Sequence, residues 1–115
     1  MDTDLIRVLR AAFPGEEARY FSPMSIGSTP ADAETGAAAI LDGIKTATSS
    51  ASWDYPDGCL PFAGALSVLL DGQGRARAVV ETGRFEIMPF GAVDEDFARA
   101  YGEGDRTLGW FRAEM

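Results

Sequence analysis

A single lysine, Lys45, lies among hydroxyls in Gly43-Ile44-Lys45-Thr46-Ala47-Thr48-Ser49-Ser50. The other nine basic residues are arginine, and the 115-residue chain has no histidine. An amine among hydroxyls can bind an anion or, once desolvated, act as a base. Without imidazole, acid–base chemistry near neutral pH falls to Lys45, a carboxylate, Cys59 or water. Cys59 has no histidine to activate it and reads as an inert thiol. A lone cysteine forms no internal disulfide, and the start Met1-Asp2-Thr3-Asp4 lacks a signal-peptide pattern; together they suggest a cytoplasmic protein. No cysteine–histidine metal cluster can form, and the acidic runs read as helix starts rather than calcium loops. No metal or cofactor is expected.

The net charge is −8. Nonspecific nucleic-acid affinity comes mostly from neutralising phosphates, so this charge excludes a general polyanion binder. A small or uncharged ligand fits it better than a long duplex, and a local basic pocket stays compatible with it. Apolar residues make up 46% and charged residues 24%, as in ordinary globular domains. One domain, 1–115, is expected, large enough for its own core. No apolar run is long enough to span a membrane.

The elements that must position Lys45 are well punctuated. Residues 4–12 put Leu5, Val8 and Leu9 on one helical face, with Thr3 as N-cap and Phe13-Pro14-Gly15 as the stop. Residues 15–28 look irregular. A second helix has Thr29 as cap, Pro30 at its first position, Asp32 at its positive end and Gly43 as its stop. Residues 44–50 are β-compatible and predict entry into a strand. Residues 51–64 read as a long loop. Ala65 to Asp71 reads as a strand, and Asp71-Gly72-Gln73-Gly74 as a turn. A return strand runs from Arg75 through about Glu81 and past Thr82-Gly83 to Met88, with a bulge at Gly83. Asp94-Glu95-Asp96 opens a short helix through Tyr101. Gly102-Glu103-Gly104-Asp105 then leads to a last helix bearing Leu108, Trp110 and Phe111, with Asp105 as its N-cap. The pattern is α+β: a curled, mostly antiparallel sheet with flanking helices.

Four segments carry a resemblance: Gly43-Ile44-Lys45-Thr46-Ala47-Thr48, Val79-Val80-Glu81-Thr82, Met88-Pro89-Phe90, and Phe97-Ala98 through Gly102-Glu103-Gly104-Asp105-Arg106-Thr107-Leu108 to Trp110. In this order they resemble an ASCH domain, the activating signal cointegrator homology domain, from about Phe21 to the C-terminus. Residues 1–20 form an N-terminal helix and connector. The resemblance implies a small PUA-like antiparallel β-barrel with flanking helices, and a cleft that handles RNA or a modified nucleoside. In the acetylcytidine amidohydrolase branch it implies catalysis by the positions of Lys45, Thr48 and Glu103. Ribonuclease activity is also attributed to the family. Many relatives carry arginine where this chain has Ser50, which puts substrate identity in question. Relatives also commonly continue past this C-terminus with a closing strand. If that strand is lacking, an exposed sheet edge favours a homodimer, and the chain could then be a non-catalytic interaction protein.

The residues themselves pose the alternatives. A neutral Lys45 could take a proton from Thr48 or water, Glu103 could pass one to a leaving amine, and backbone N–H groups after Gly43 could hold an oxyanion. Against this, Lys45 could be a solvated strand-end lysine, and Glu103 part of a helix-capping turn. Strand parity puts Thr46 and Thr48 on one face and Lys45 on the other, so a Lys45–Thr48 pair needs a turn there. Glu81 shares parity with Val79 and could point inward, to a ligand or to an arginine. Trp53 and Tyr55 could stack on a base, worth roughly 1–3 kcal/mol per base, or simply anchor the loop. Gly43, Ser49, Ser50 and Asp105 complete the expected ligand-binding set.

Overall fold

The computed structural model describes residues 3–50, 54–55 and 59–115. They divide into two compact units: Met1–Ala37 with Leu60–Phe85, and Ala38–Cys59 with Glu86–Met115.

The first unit is built on a central strand, β2 (Leu66–Leu70). Its first four residues are buried. A strand covered on both faces is written as a continuous apolar run, which Leu-Ser-Val-Leu-Leu nearly is. β3 (Ala76–Glu81) pairs with β2 antiparallel, and β1 (Tyr20–Met24) pairs with it parallel, giving the order β1-β2-β3. Helix α1 (Thr3–Ala12) packs on β2 and β3 and buries Leu9 completely. Helix α2 (Pro30–Leu41) is the crossover that a parallel β1–β2 pair requires. Thr29 Oγ1 accepts from Asp32 N at 3.1 Å, so the sequence-predicted cap forms. Gly36 lets Ile26 lie directly on this helix, since a Cβ there would come within 2.4 Å of the Ile26 side chain.

The α+β class holds; among the described residues the three-stranded sheet is mixed and does not close, so the expected antiparallel barrel is not confirmed. The departures have local causes. Residues 15–28 were read as irregular, yet they hold a 3-10 turn (Glu17–Arg19) and β1. Pro23 masks that strand in the sequence; Pro is tolerated because β1 is an edge. β3 stops at Glu81 rather than reaching Met88. Thr82 still exchanges bonds with Ala65 and Gly64, but Gly64 then turns away at φ 90°, and among the described residues no partner strand follows. The register shift falls between Leu69 and Leu70 of β2, not at Gly83. Among the described residues, no helix is long and apolar enough to cross a membrane.

The β2–β3 turn is organised by Asp71, whose side chain is fully buried. Its Oδ1 accepts from Gln73 N at 2.9 Å and Arg75 N at 3.0 Å, and its Oδ2 from Arg75 Nε at 3.1 Å. The Arg75 backbone N–H, above all, holds this carboxyl down to about 2 against the opposing effect of burial.

In the second unit, α3 (Glu95–Tyr101) starts at Asp94, whose Oδ1 accepts from Phe97 N at 2.9 Å. Helix α4 (Leu108–Glu114) starts at Thr107, whose hydroxyl accepts from Trp110 N at 3.1 Å. Asp105 is therefore not the N-cap expected from sequence. It sits two residues upstream and accepts from both Thr107 N (3.0 Å) and Thr107 Oγ1 (2.6 Å). Phe111 is the centre of an aromatic cluster, with ring centroids of Tyr101, Phe97 and Phe90 at 5.1, 5.7 and 5.7 Å.

The depressed Asp71 pKa stabilises the fold above the ordinary carboxylate value of 3.8, and that contribution is lost as pH falls towards about 2. Urea unfolding of Asp71→Asn should show a lower midpoint than wild type at pH 7. Between pH 4 and 2 the variant should lose less stability than wild type; parallel pH profiles would contradict the assignment.

Candidate functional site

Helix α2 ends through Gly43, which adopts a left-handed φ of 78°. Ile44 N and Lys45 N both turn back to Ala39 O, at 3.0 and 3.1 Å. Thr46 N and Ala47 N go to Ala100 O near the end of α3, at 2.7 and 3.0 Å. These bonds consume the N–H groups that a β-ladder would need, so residues 44–50 form no strand, contrary to expectation. They also leave the N–H groups of residues 44–47 unavailable as an oxyanion hole.

The end of α3 receives Lys45. A helix leaves its last carbonyls without intrahelical donors and carries partial negative charge there. Arg106 Nε donates to Arg99 O at 3.1 Å, and Lys45 Nζ donates to Tyr101 O at 3.0 Å. Lys45 is therefore buried, 3% exposed, and is not a solvated strand-end lysine. Nζ lies 3.3 Å from the centroid of the Tyr101 ring, a cation–π contact. Glu103 Oε2 lies 2.8 Å from Nζ. That approach is ionic rather than well directed: Oε2 is buried and has no hydrogen-bond partner of proper geometry among the described residues.

The glycines explain how Glu103 reaches this place. A Cβ on Gly102 (φ 69°) would come within 2.6 Å of Ile44 O and 2.7 Å of Lys45 Cα. A Cβ on Gly104 (φ 61°) would overlap the Trp110 ring. Gly102 thus permits the lysine segment to touch the end of α3, and Gly104 permits Trp110 to close the following turn. Between them, Glu103 is projected at the ammonium.

Burial lowers the Lys45 pKa, and the hydrogen-bonding and charge effects of Glu103 oppose that shift. Burial raises the Tyr101 pKa, the Glu103 charge adds to the rise, and a hydrogen bond with Ser49 opposes it. Tyr101 also approaches Met115 Sδ at 3.8 Å through its hydroxyl.

The structure therefore brings together Lys45 and Glu103, with Ser49 reaching the same cluster through Tyr101. Thr48 and Ser50 are exposed on the extended segment, and Thr48 makes no hydrogen bond to either member of the ion pair. Gly43 is a helix stop. Tyr55 is half-buried, and Trp53 lies outside the described residues. Asp105 is committed to Thr107, which lowers its pKa through a side-chain hydrogen bond. Glu81, in the first unit, ion-pairs with Arg19 and is half-exposed rather than inward-pointing. Tyr101 was missed as a site residue. Its aromatic ring immediately before Gly-Glu-Gly was the available signal.

The ASCH domain family model matches residues 22–115. The crystal structure of an ASCH domain from Lactobacillus crispatus JV V101 is similar over 99% of this chain and 77% of that chain, with 25% identity and a TM-score of 0.84. No protein of curated function is similar enough to match.

Because Lys45 is the only lysine, lysine-selective isotope labelling yields one side-chain signal to titrate by NMR. Its midpoint should fall below the ordinary value of about 10.4. Glu103→Gln should lower it further by removing the opposing charge; an unchanged or raised midpoint would contradict this account. Between the folded and ordinary values the unfolded chain holds more protons, so the contribution of Lys45 to stability rises with pH there. Gly102→Ala should cost about 1–3 kcal/mol from left-handed strain alone, with the backbone clash adding to it, and should displace the Lys45 signal. Urea unfolding and the same NMR signal test both effects.

Proposed function

The chain belongs to the ASCH domain family, and from this we propose that the Lys45–Glu103 site recognises RNA or a modified nucleoside. The family is generally an RNA-binding, PUA-like one. The observation that carries the reading is a buried lysine ion-paired to a carboxylate that keeps 29% of its side chain exposed. Desolvating an ion pair is costly and is often matched or surpassed in stability by apolar packing, so this one is better explained by a task than by stability. The exposed hydroxyls of Thr46, Thr48, Ser49 and Ser50 follow directly on the same segment and supply further donors and acceptors. The net charge of −8 favours a ligand of nucleoside size, or a few exposed bases of a strand, over a long duplex.

A second reading is favoured by the lowered Lys45 pKa: an amidohydrolase acting on an acylated nucleoside such as acetylcytidine. Neutral Lys45 would take a proton from water or the Thr48 hydroxyl as the oxygen attacks the acyl carbon. Glu103 would relay the proton taken up by Lys45 to the departing exocyclic N4 as the acyl C–N bond breaks, giving acetate and cytidine; where Thr48 attacks, water would hydrolyse the acyl-threonine in a second step.

Titration with nucleosides and short single-stranded RNA, followed by the Lys45 NMR signal, tests the first reading. Saturable shifts with a shallow salt dependence are expected; no shift with any nucleoside or RNA would reject it. Absorbance-monitored hydrolysis of acetylcytidine tests the second. Turnover by wild type that disappears in a folded Lys45→Met variant would support it, and no wild-type turnover would reject it.

A further inference from the structure

Lys45 is engaged on three sides: the Tyr101 carbonyl at 3.0 Å, Glu103 Oε2 at 2.8 Å and the Tyr101 ring at 3.3 Å from its centroid. These neighbours crowd the ammonium on three sides and leave it almost no opening to solvent. Only 1% of the lysine side chain is exposed, against 29% for Glu103. A ligand arriving from solvent therefore meets the carboxylate first. The ion pair fixes that carboxylate with Oε2 turned inward and buried, and leaves the exposed part of the group to meet a ligand.

We propose that Lys45 and Tyr101 are positioning residues, and that Glu103 reads the ligand by selecting a nucleobase edge that presents N–H donors. This deepens the nucleoside reading above and rests on it. An ionised carboxylate accepts and never donates, so it suits the amino group of cytosine. It suits equally an N1–H or N2–H of guanine, either of which can donate to the oxygen that does not face Lys45. Phosphate is disfavoured at the same point. It would face a negative charge, and the lysine lies buried behind that charge. The arginines of this unit are directed elsewhere: Arg99 to Asp96, Arg106 to the Arg99 carbonyl, and Arg112 to the Gly91 carbonyl.

Tyr101 enters through both its backbone and its ring. Its carbonyl sets the depth of Nζ and its ring face holds the ammonium from beneath. The Phe111 edge contact fixes the plane of that ring. Loss of the ring should let Lys45 shift, and the carboxylate with it.

The test compares guanosine with 1-methylguanosine, and cytidine with N4,N4-dimethylcytidine, titrated against the Lys45 NMR signal of the full chain. Wild type should bind each parent at least tenfold more tightly than its methylated partner. Glu103→Gln should reduce that ratio to about threefold or less. Tyr101→Leu should lower the ratio and Tyr101→Phe, which keeps the ring, should restore most of it. A ratio between two ligands is insensitive to the folded fraction, so a purely structural role for Tyr101 would leave it unchanged. The proposal is overturned if nucleosides bind but methylation makes no difference, or if the discrimination survives Glu103→Gln. If no nucleoside binds, the nucleoside reading fails and this inference fails with it.

Discussion

The end of helix α3 is the constraint on which the site depends. A seven-residue helix has as many terminal carbonyls to satisfy as a long one, and few internal bonds to offset them. Here the solution comes from a segment more than fifty residues upstream. Thr46 and Ala47 supply backbone N–H groups to Ala100, Lys45 supplies its ammonium to Tyr101, and Arg106 folds back to Arg99. The lysine is buried because the helix end needs a donor at that depth. Its charge suits the negative end of the helix dipole, which is worth about 0.3–1 kcal/mol at an exposed position and more when partly buried.

Three partners favour the charged lysine, while burial opposes it. Burial dominates in direction, since the Lys45 pKa is lowered despite Glu103. An apolar residue would avoid the desolvation altogether. Retaining the ion pair therefore points to chemistry or recognition, whereas the ion pairs of the first unit have structural settings. Asp71 shows the contrast. It is as buried as Lys45, but both its oxygens are filled by the turn it organises, and nothing of it faces solvent.

Helix boundaries were the most legible part of the sequence. Thr29-Pro30, Gly43 and Asp94 each carry a local rule for starting or stopping a helix, and each operates as written. The Gly-Glu-Gly spacing and the isolated lysine likewise marked two residues that meet in space. What the sequence did not disclose is where backbone donors go. Residues 44–50 have strand-like side chains, but the N–H groups of residues 44–47 are taken by two helix ends. β1 was hidden by Pro23, whose missing N–H matters little on an edge strand. The parallel β1–β2 pairing leaves no short-range pattern at all, because its partners are more than forty residues apart. Tyr101 enters the sequence reading only as the end of a helix; its position under Nζ reveals the use of its ring.

The chain's single lysine side chain is also a concealed amine. A reagent that acylates lysines has one side-chain target here, and that target becomes reachable only when Nζ leaves the Tyr101 ring and the Glu103 carboxylate. Slow acylation would then count openings of this unit, much as hydrogen exchange counts openings of a backbone amide. The same arithmetic protects the folded chain: modifications directed at lysine side chains find no foothold on it until the site itself comes apart.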